Sequence, residues 1–122
     1  MAKGDDIEAR LVSFAVRVLE LCNELPKNPE GTHIAGQLLR SGTAGAPNYA
    51  EARAAESAGD FIHKLGVVLK ELNESRVWVE MILKRHLVDA AAAKPVYDDC
   101  VALSKIIAAS RRTAAVNAGR IK

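Results

Sequence analysis

A chain of 122 residues that is 49% hydrophobic but only 4% aromatic holds one domain with a real core and is too short for two of ordinary size. Alanine and leucine dominate, and alternating or β-branched runs are few, so strand-rich classes are excluded and an all-α class is expected. The net charge of +2 conceals a division, because no acid follows Asp99: residues 100–122 hold five bases, leaving twelve bases against fifteen acids in the rest.

The first helix is expected from Asp5 or Asp6, acids suited to a cap, to about Glu24. Ile7, Leu11, Phe14, Val18, Leu21 and Leu25 step by four and three, an apolar seam with Arg10, Arg17, Glu20 and Glu24 off it. "LPKNPEG" breaks the pattern, and a second helix is expected over about 32–56. Ser57 with Asp60 three residues on resembles a capping box, which starts a third helix over about 58–87. "LVDAAAAKP" then reads as a connection, with Pro95 in the first turn of a fourth helix over about 94–117 whose seam is Val96, Cys100, Leu103 and Ile107. The tail "NAGRIK" is expected to fray. Short connections imply a single antiparallel up-down-up-down four-helix bundle.

No apolar run approaches the roughly 20 residues that span a bilayer, and no apolar leader precedes a cleavage site, which predicts a cytoplasmic protein. Cys22 and Cys100 fall on seam positions, where a free thiol behaves as a small hydrophobe.

The second helix poses a puzzle, since Gly42, Gly45 and Pro47 interrupt a segment otherwise suited to helix. Together with Ala44 and Ala46 they remove side-chain bulk and let another helix approach closely. Pro47 would free the carbonyl of Thr43 and bend the helix. Gln37, Ser41, Asn48 and Glu51 share one line with Arg40 and Arg53 beside it. These groups are expected to tie the bend down by bonding backbone groups or Glu71 and Glu74 of the third helix.

That third helix has more apolar surface than one seam requires. Phe61, Leu65, Val68, Leu72, Val79 and Ile82 point inward, and a second line runs through Lys64, Val67, Glu71, Glu74, Trp78 and Met81. A large ring, a methionine and charges on one face suit a subunit interface; the competing reading places Trp78 at the edge of the monomer's own core.

"QLLRSGTAGAPNYAEA" followed by "DFIHKLGVVLKELNESRVWVEMIL" closely resembles the bacterial four-helix-bundle family encoded in intervening sequences of 23S ribosomal RNA genes. The resemblance lies in Arg40-Ser41, Asn48-x-x-Glu51, Asp60-Phe61, Lys70-Glu71 and Glu74-x-x-x-Trp78, with Lys64 as a further family-type position. It implies an antiparallel bundle that assembles into a homopentameric ring. It also implies kinship to the accessory protein of diversity-generating retroelements, which binds nucleic acid and reverse transcriptase. No catalytic role goes with the resemblance.

Chemistry in the residues themselves is sparse. Glu30-Gly-Thr-His33 and Asp60-Phe-Ile-His63 have the Glu/Asp-x-x-His spacing of di-iron bundles, but the first reads as a Pro/Gly loop and the second as a first turn, so neither a metal nor a cofactor is expected. No serine, histidine and acid can be paired as a nucleophile set, and no glycine-rich loop lies between strand and helix. Candidates for phosphate contact are Lys64, Lys70, Arg76, Lys84 and Arg85 on the third helix and Lys105, Arg111, Arg112 and Arg120 at the basic end, which could equally be a solvated face. The expectation is a non-catalytic oligomeric scaffold, a pentamer by resemblance, that presents a basic surface to RNA, DNA or a protein that handles them. A small metal-binding or enzymatic bundle is the alternative.

Overall fold

The computed structural model describes residues 4–122, and these form four helices: α1 (Asp5–Glu24), α2 (Pro29–Arg53), α3 (Ala58–Arg85) and α4 (Ala90–Asn117). Asp5, Asp6 and Glu8 place negative charge in the first turn of α1, where it complements the helix dipole.

Four helix bounds depart from the sequence expectation. α2 begins at Pro29, not near Thr32, because Asn28 caps it by accepting the Gly31 amide at 2.9 Å and proline is well suited to a first helical position. It ends at Arg53, short of Glu56, and the chain turns before Ser57, whose hydroxyl accepts the Asp60 amide at 3.1 Å and starts α3. α3 stops at Arg85, with His86 in the left-handed conformation at φ 56°. α4 begins at Ala90, because the alanines before Lys94 are strong helix formers, so Pro95 lies inside the helix and not in its first turn.

Each helix packs on the next and α4 returns to α1, which sets the order α1, α2, α3, α4 around the bundle. Cross-helix bonds fix the antiparallel directions. Arg53 at the end of α2 reaches Asp5 at 2.7 Å and Glu8 at 3.1 Å at the start of α1. Glu30 at the start of α2 meets Arg85 at the end of α3, and Arg111 late in α4 donates to the Ile62 carbonyl early in α3. Asp99 joins α4 to α1 by accepting from Arg10 at 3.0 Å and Arg17 at 3.4 Å.

The core is mainly aliphatic, with Phe14 and Tyr49 as its buried rings. Phe14, Leu11, Leu21, Leu38, Leu65, Leu72, Ile82, Leu103 and Ile107 are the largest fully buried side chains, each contributing about 1.5–3 kcal/mol by leaving water. Both cysteines are buried and free, and Cys100 directs its thiol at the Leu72 carbonyl, 3.0 Å away.

The small residues of α2 are where α1 comes closest. A Cβ on Gly42 would lie 2.7 and 2.8 Å from the two Val18 methyls, and one on Gly45 would touch Leu11 at 3.4 Å. α2 continues unbroken through Pro47, and the Asn48 side-chain amide donates to the Ala44 carbonyl at 2.9 Å.

Candidate interaction surfaces

On the α2–α3 seam, Arg40 reaches both carboxylate oxygens of Glu71 at 3.3 Å and makes an ion pair with Glu74. Glu74 also accepts the Trp78 indole N–H at 3.1 Å, one helical turn along. Beneath this surface pairing, Ser75 shares a 2.9 Å hydrogen bond with Ser41 and donates to the Glu71 carbonyl at 2.8 Å. Two buried hydroxyls thus satisfy each other across the helices where an unpaired one would be costly.

Electrostatics follow from these contacts. The Trp78 N–H and the Arg40 guanidinium hold the Glu74 carboxyl below the usual carboxylate range, and Arg85 does the same for Glu30. Burial pushes the Cys100 thiol up to about 12 and raises that of Cys22. Neither thiol is therefore a thiolate near neutrality, and nucleophilic chemistry there is disfavoured.

The expected residues fall into distinct groups. Arg40, Ser41, Glu71, Glu74 and Trp78 converge on one network, and Glu51 pairs with Lys64 at 3.3 Å. Gln37, Pro47 and Met81 stand outside its hydrogen bonds, Met81 with 44% of its surface exposed. Trp78 is half-buried against the core, with the His33 ring edge-on at 5.8 Å. A shallow groove of about 430 Å³ runs beside this pair, lined by Glu30, His33, Ile34, Trp78, Met81 and Arg85. Glu30 and His33 are therefore helical residues, contrary to the loop reading. Glu30 is engaged by Arg85, and among the described residues no three His, Cys, Asp or Glu side chains gather as a metal site would require.

Of the nine cations proposed for phosphate contact, four have internal partners: Lys64 with Glu51, Arg76 with Glu80, Arg85 with Glu30, and Arg111 with the Ile62 carbonyl. Lys70, Lys84, Lys105, Arg112 and Arg120 make no ion pair among the described residues. Antiparallel packing carries Lys84 and Arg85 to one end of the bundle and Arg111, Arg112 and Arg120 to the other. They do not form one patch.

Sequence reasoning missed a feature of α1. Val12, Val16 and Leu19 are 48%, 46% and 44% exposed and recur at i, i+4 and i+7, a solvent-facing apolar stripe beside the buried seam. The spacing was available as a second apolar line, one position displaced from Leu11 and Val18.

The fold and its surfaces define an all-α four-helix protein whose exposed features include the apolar stripe of α1 and cations with no ion-pair partner among the described residues. Residues 6–109 match the family model described as 23S rRNA-intervening sequence protein, and the chain belongs to that family. It is similar to a crystal structure of a protein of unknown function from the S23 ribosomal protein family of Bacteroides thetaiotaomicron VPI-5482. That likeness has 30% sequence identity and a TM-score of 0.80, over 86% of this chain and 97% of that one. A comparison with curated proteins finds no match. Among the described residues, no helix is long and apolar enough to cross a membrane.

Proposed function

We propose that the protein is a non-catalytic scaffold that associates with copies of itself, with five the number the family resemblance implies, and presents Arg112 and Arg120 to nucleic-acid phosphates. The observation that supports this reading is the α1 stripe of Val12, Val16 and Leu19, three large apolar side chains in line and facing water. Such a contiguous stripe is stabilised by cover from another surface. Repetition of one chain in an assembly multiplies a two-arginine end into a larger positive surface, and phosphate contacts of that kind weaken steeply with salt.

The test is the mass in solution. Light scattering on a sizing column should give a multiple of 13.1 kDa for the natural sequence, and Val16→Asp should lower it while helicity is retained. A natural-sequence mass of 13.1 kDa at every concentration would overturn the reading. Val16 is the informative position, because Trp78 and Glu74 are already used within the monomer's α2–α3 seam.

A further inference from the structure

The apolar seam of α4 changes character along its length. Val96, Cys100, Leu103 and Ile107 step by four, three and four, and all are buried. The same stepping continues through Ser110, Ala114 and Asn117, where the side chains become small or polar. Ser110 and Ala114 are half-buried and Asn117 is exposed, whereas the earlier members are sealed. A core position without bulk leaves space unless a neighbour moves in. At this end of the bundle a cavity of about 620 Å³ lies between α4 and the beginning of α1, with Tyr49 of α2 and Phe61 of α3 as its rings.

Two features set this cavity apart from a packing defect. All four helices contribute to its wall, and its size is that of small-molecule pockets, about 300–1,000 Å³. Tyr49 is only 5% exposed, yet its hydroxyl makes no hydrogen bond among the described residues. A buried phenol ordinarily finds a partner for its O–H. Here the oxygen stands at the wall beside Gly4, 2.9 Å from a Cβ built there. Burial pushes its pKa up, so near neutrality it stays protonated and able to donate. The one charged side chain among the described lining residues, Arg53, is engaged by Asp5 at 2.7 Å and Glu8 at 3.1 Å, so the wall holds no uncompensated cation for an anionic ligand.

We infer that this cavity binds a small neutral heteroaromatic compound of one or two rings, its faces against Ile7, Phe61 and Ala114 and a ring nitrogen or carbonyl accepting from the Tyr49 hydroxyl. Ser110, Thr113 and Asn117 line the α4 side and offer further hydrogen bonds to its edge. The site is independent of the self-association proposed above.

Nuclear magnetic resonance of isotope-labelled protein, titrated at pH 8 with quinoline, benzimidazole or benzoate, tests the site. The two neutral heterocycles should shift the amides of Ser110, Thr113, Ala114 and Asn117 saturably, with a Kd of about 1 mM or tighter, and benzoate should not. Tyr49→Phe removes the unpartnered oxygen alone; it should leave stability in urea unchanged and weaken quinoline binding about tenfold. Ser110→Leu with Ala114→Leu extends the aliphatic seam into the space and should abolish the shifts in a folded protein. Absence of saturable shifts with either heterocycle would overturn the inference, as would binding that survives the two leucines. Tighter binding of benzoate would overturn the neutral class. Should the double-leucine variant fail to fold, Tyr49→Phe decides alone: unchanged quinoline affinity, or a loss of stability that shows the hydroxyl to be structural, overturns the site.

Discussion

Gly42 sits under the two methyls of Val18, and a branched side chain locked in a helix has no alternative rotamer to retreat into. Alanine in place of an interior glycine favours the helix by about 1 kcal/mol, whereas forcing a methyl into a filled core costs about 1–3 kcal/mol. The steric effect wins here, and Gly42→Ala should lower stability in urea titrations. Introduced together with Val18→Ala, it should cost nothing further. Gly36, with nothing within 4 Å of its added Cβ, is the control: Gly36→Ala should stabilise by up to about 1 kcal/mol. The close approach was legible in "SGTAGA" as small residues on a helix. The partner was not, because composition shows where bulk is missing and not which neighbour fills the space. The same limit applies at Ser75, which stands in the line Leu65, Val68, Leu72, Val79 and Ile82. Its burial could be read from that register, but its pairing with Ser41 depends on how α2 and α3 are set against each other.

Periodicity located all four helices because each seam is long and regular, and it placed α1 at its observed bounds. Ends are decided by single bonds, which periodicity does not register. At α2 the proline read as a breaker is an N-terminal residue, since the only amide it removes lacks an intrahelical partner anyway, and Asn28 just before it supplies the cap. Asn28→Ala should therefore cost about 1 kcal/mol. Its effect on amide exchange should concentrate in the first turn of α2, around Glu30 and Gly31. If protection there is unchanged, the cap contributes nothing. Antiparallel order followed from the short connections, but the apolar stripe of α1 was masked in the sequence by the stronger seam next to it.

At the scale of the whole bundle, Cys100 reports on global opening. Its thiol lies in the core, faces the Leu72 carbonyl and has its pKa pushed up to about 12 by burial. A small alkylating reagent should label it only as fast as the folded bundle opens, and the labelling rate should fall in step with added stability across variants. Rapid labelling of the natively folded protein would mean that the α3–α4 half breathes independently. The charge division was only partly legible in the sequence. The acid-free end was plain, but the ion pairs that silence Lys64, Arg76 and Arg85 needed the side chains in place.

Two arginines of the basic end rest over glycines of α3. The guanidinium of Arg111 lies where a Cβ on Gly66 would sit, within 2.9 to 3.1 Å, and that of Arg120 lies 2.6 Å from a Cβ built on Gly59. These glycines stand seven residues apart on one side of α3, and the C-terminal tail that the sequence suggested would fray is brought back against the bundle by the second of them. A methyl group at either position has no backbone to displace, only the far end of a flexible cation. An alanine at Gly66 would therefore turn Arg111 outward from the Ile62 carbonyl. The amount of mobile positive charge at this end of the molecule is thus written in α3 as the absence of two side chains, and a relative could raise or lower it without changing a single arginine.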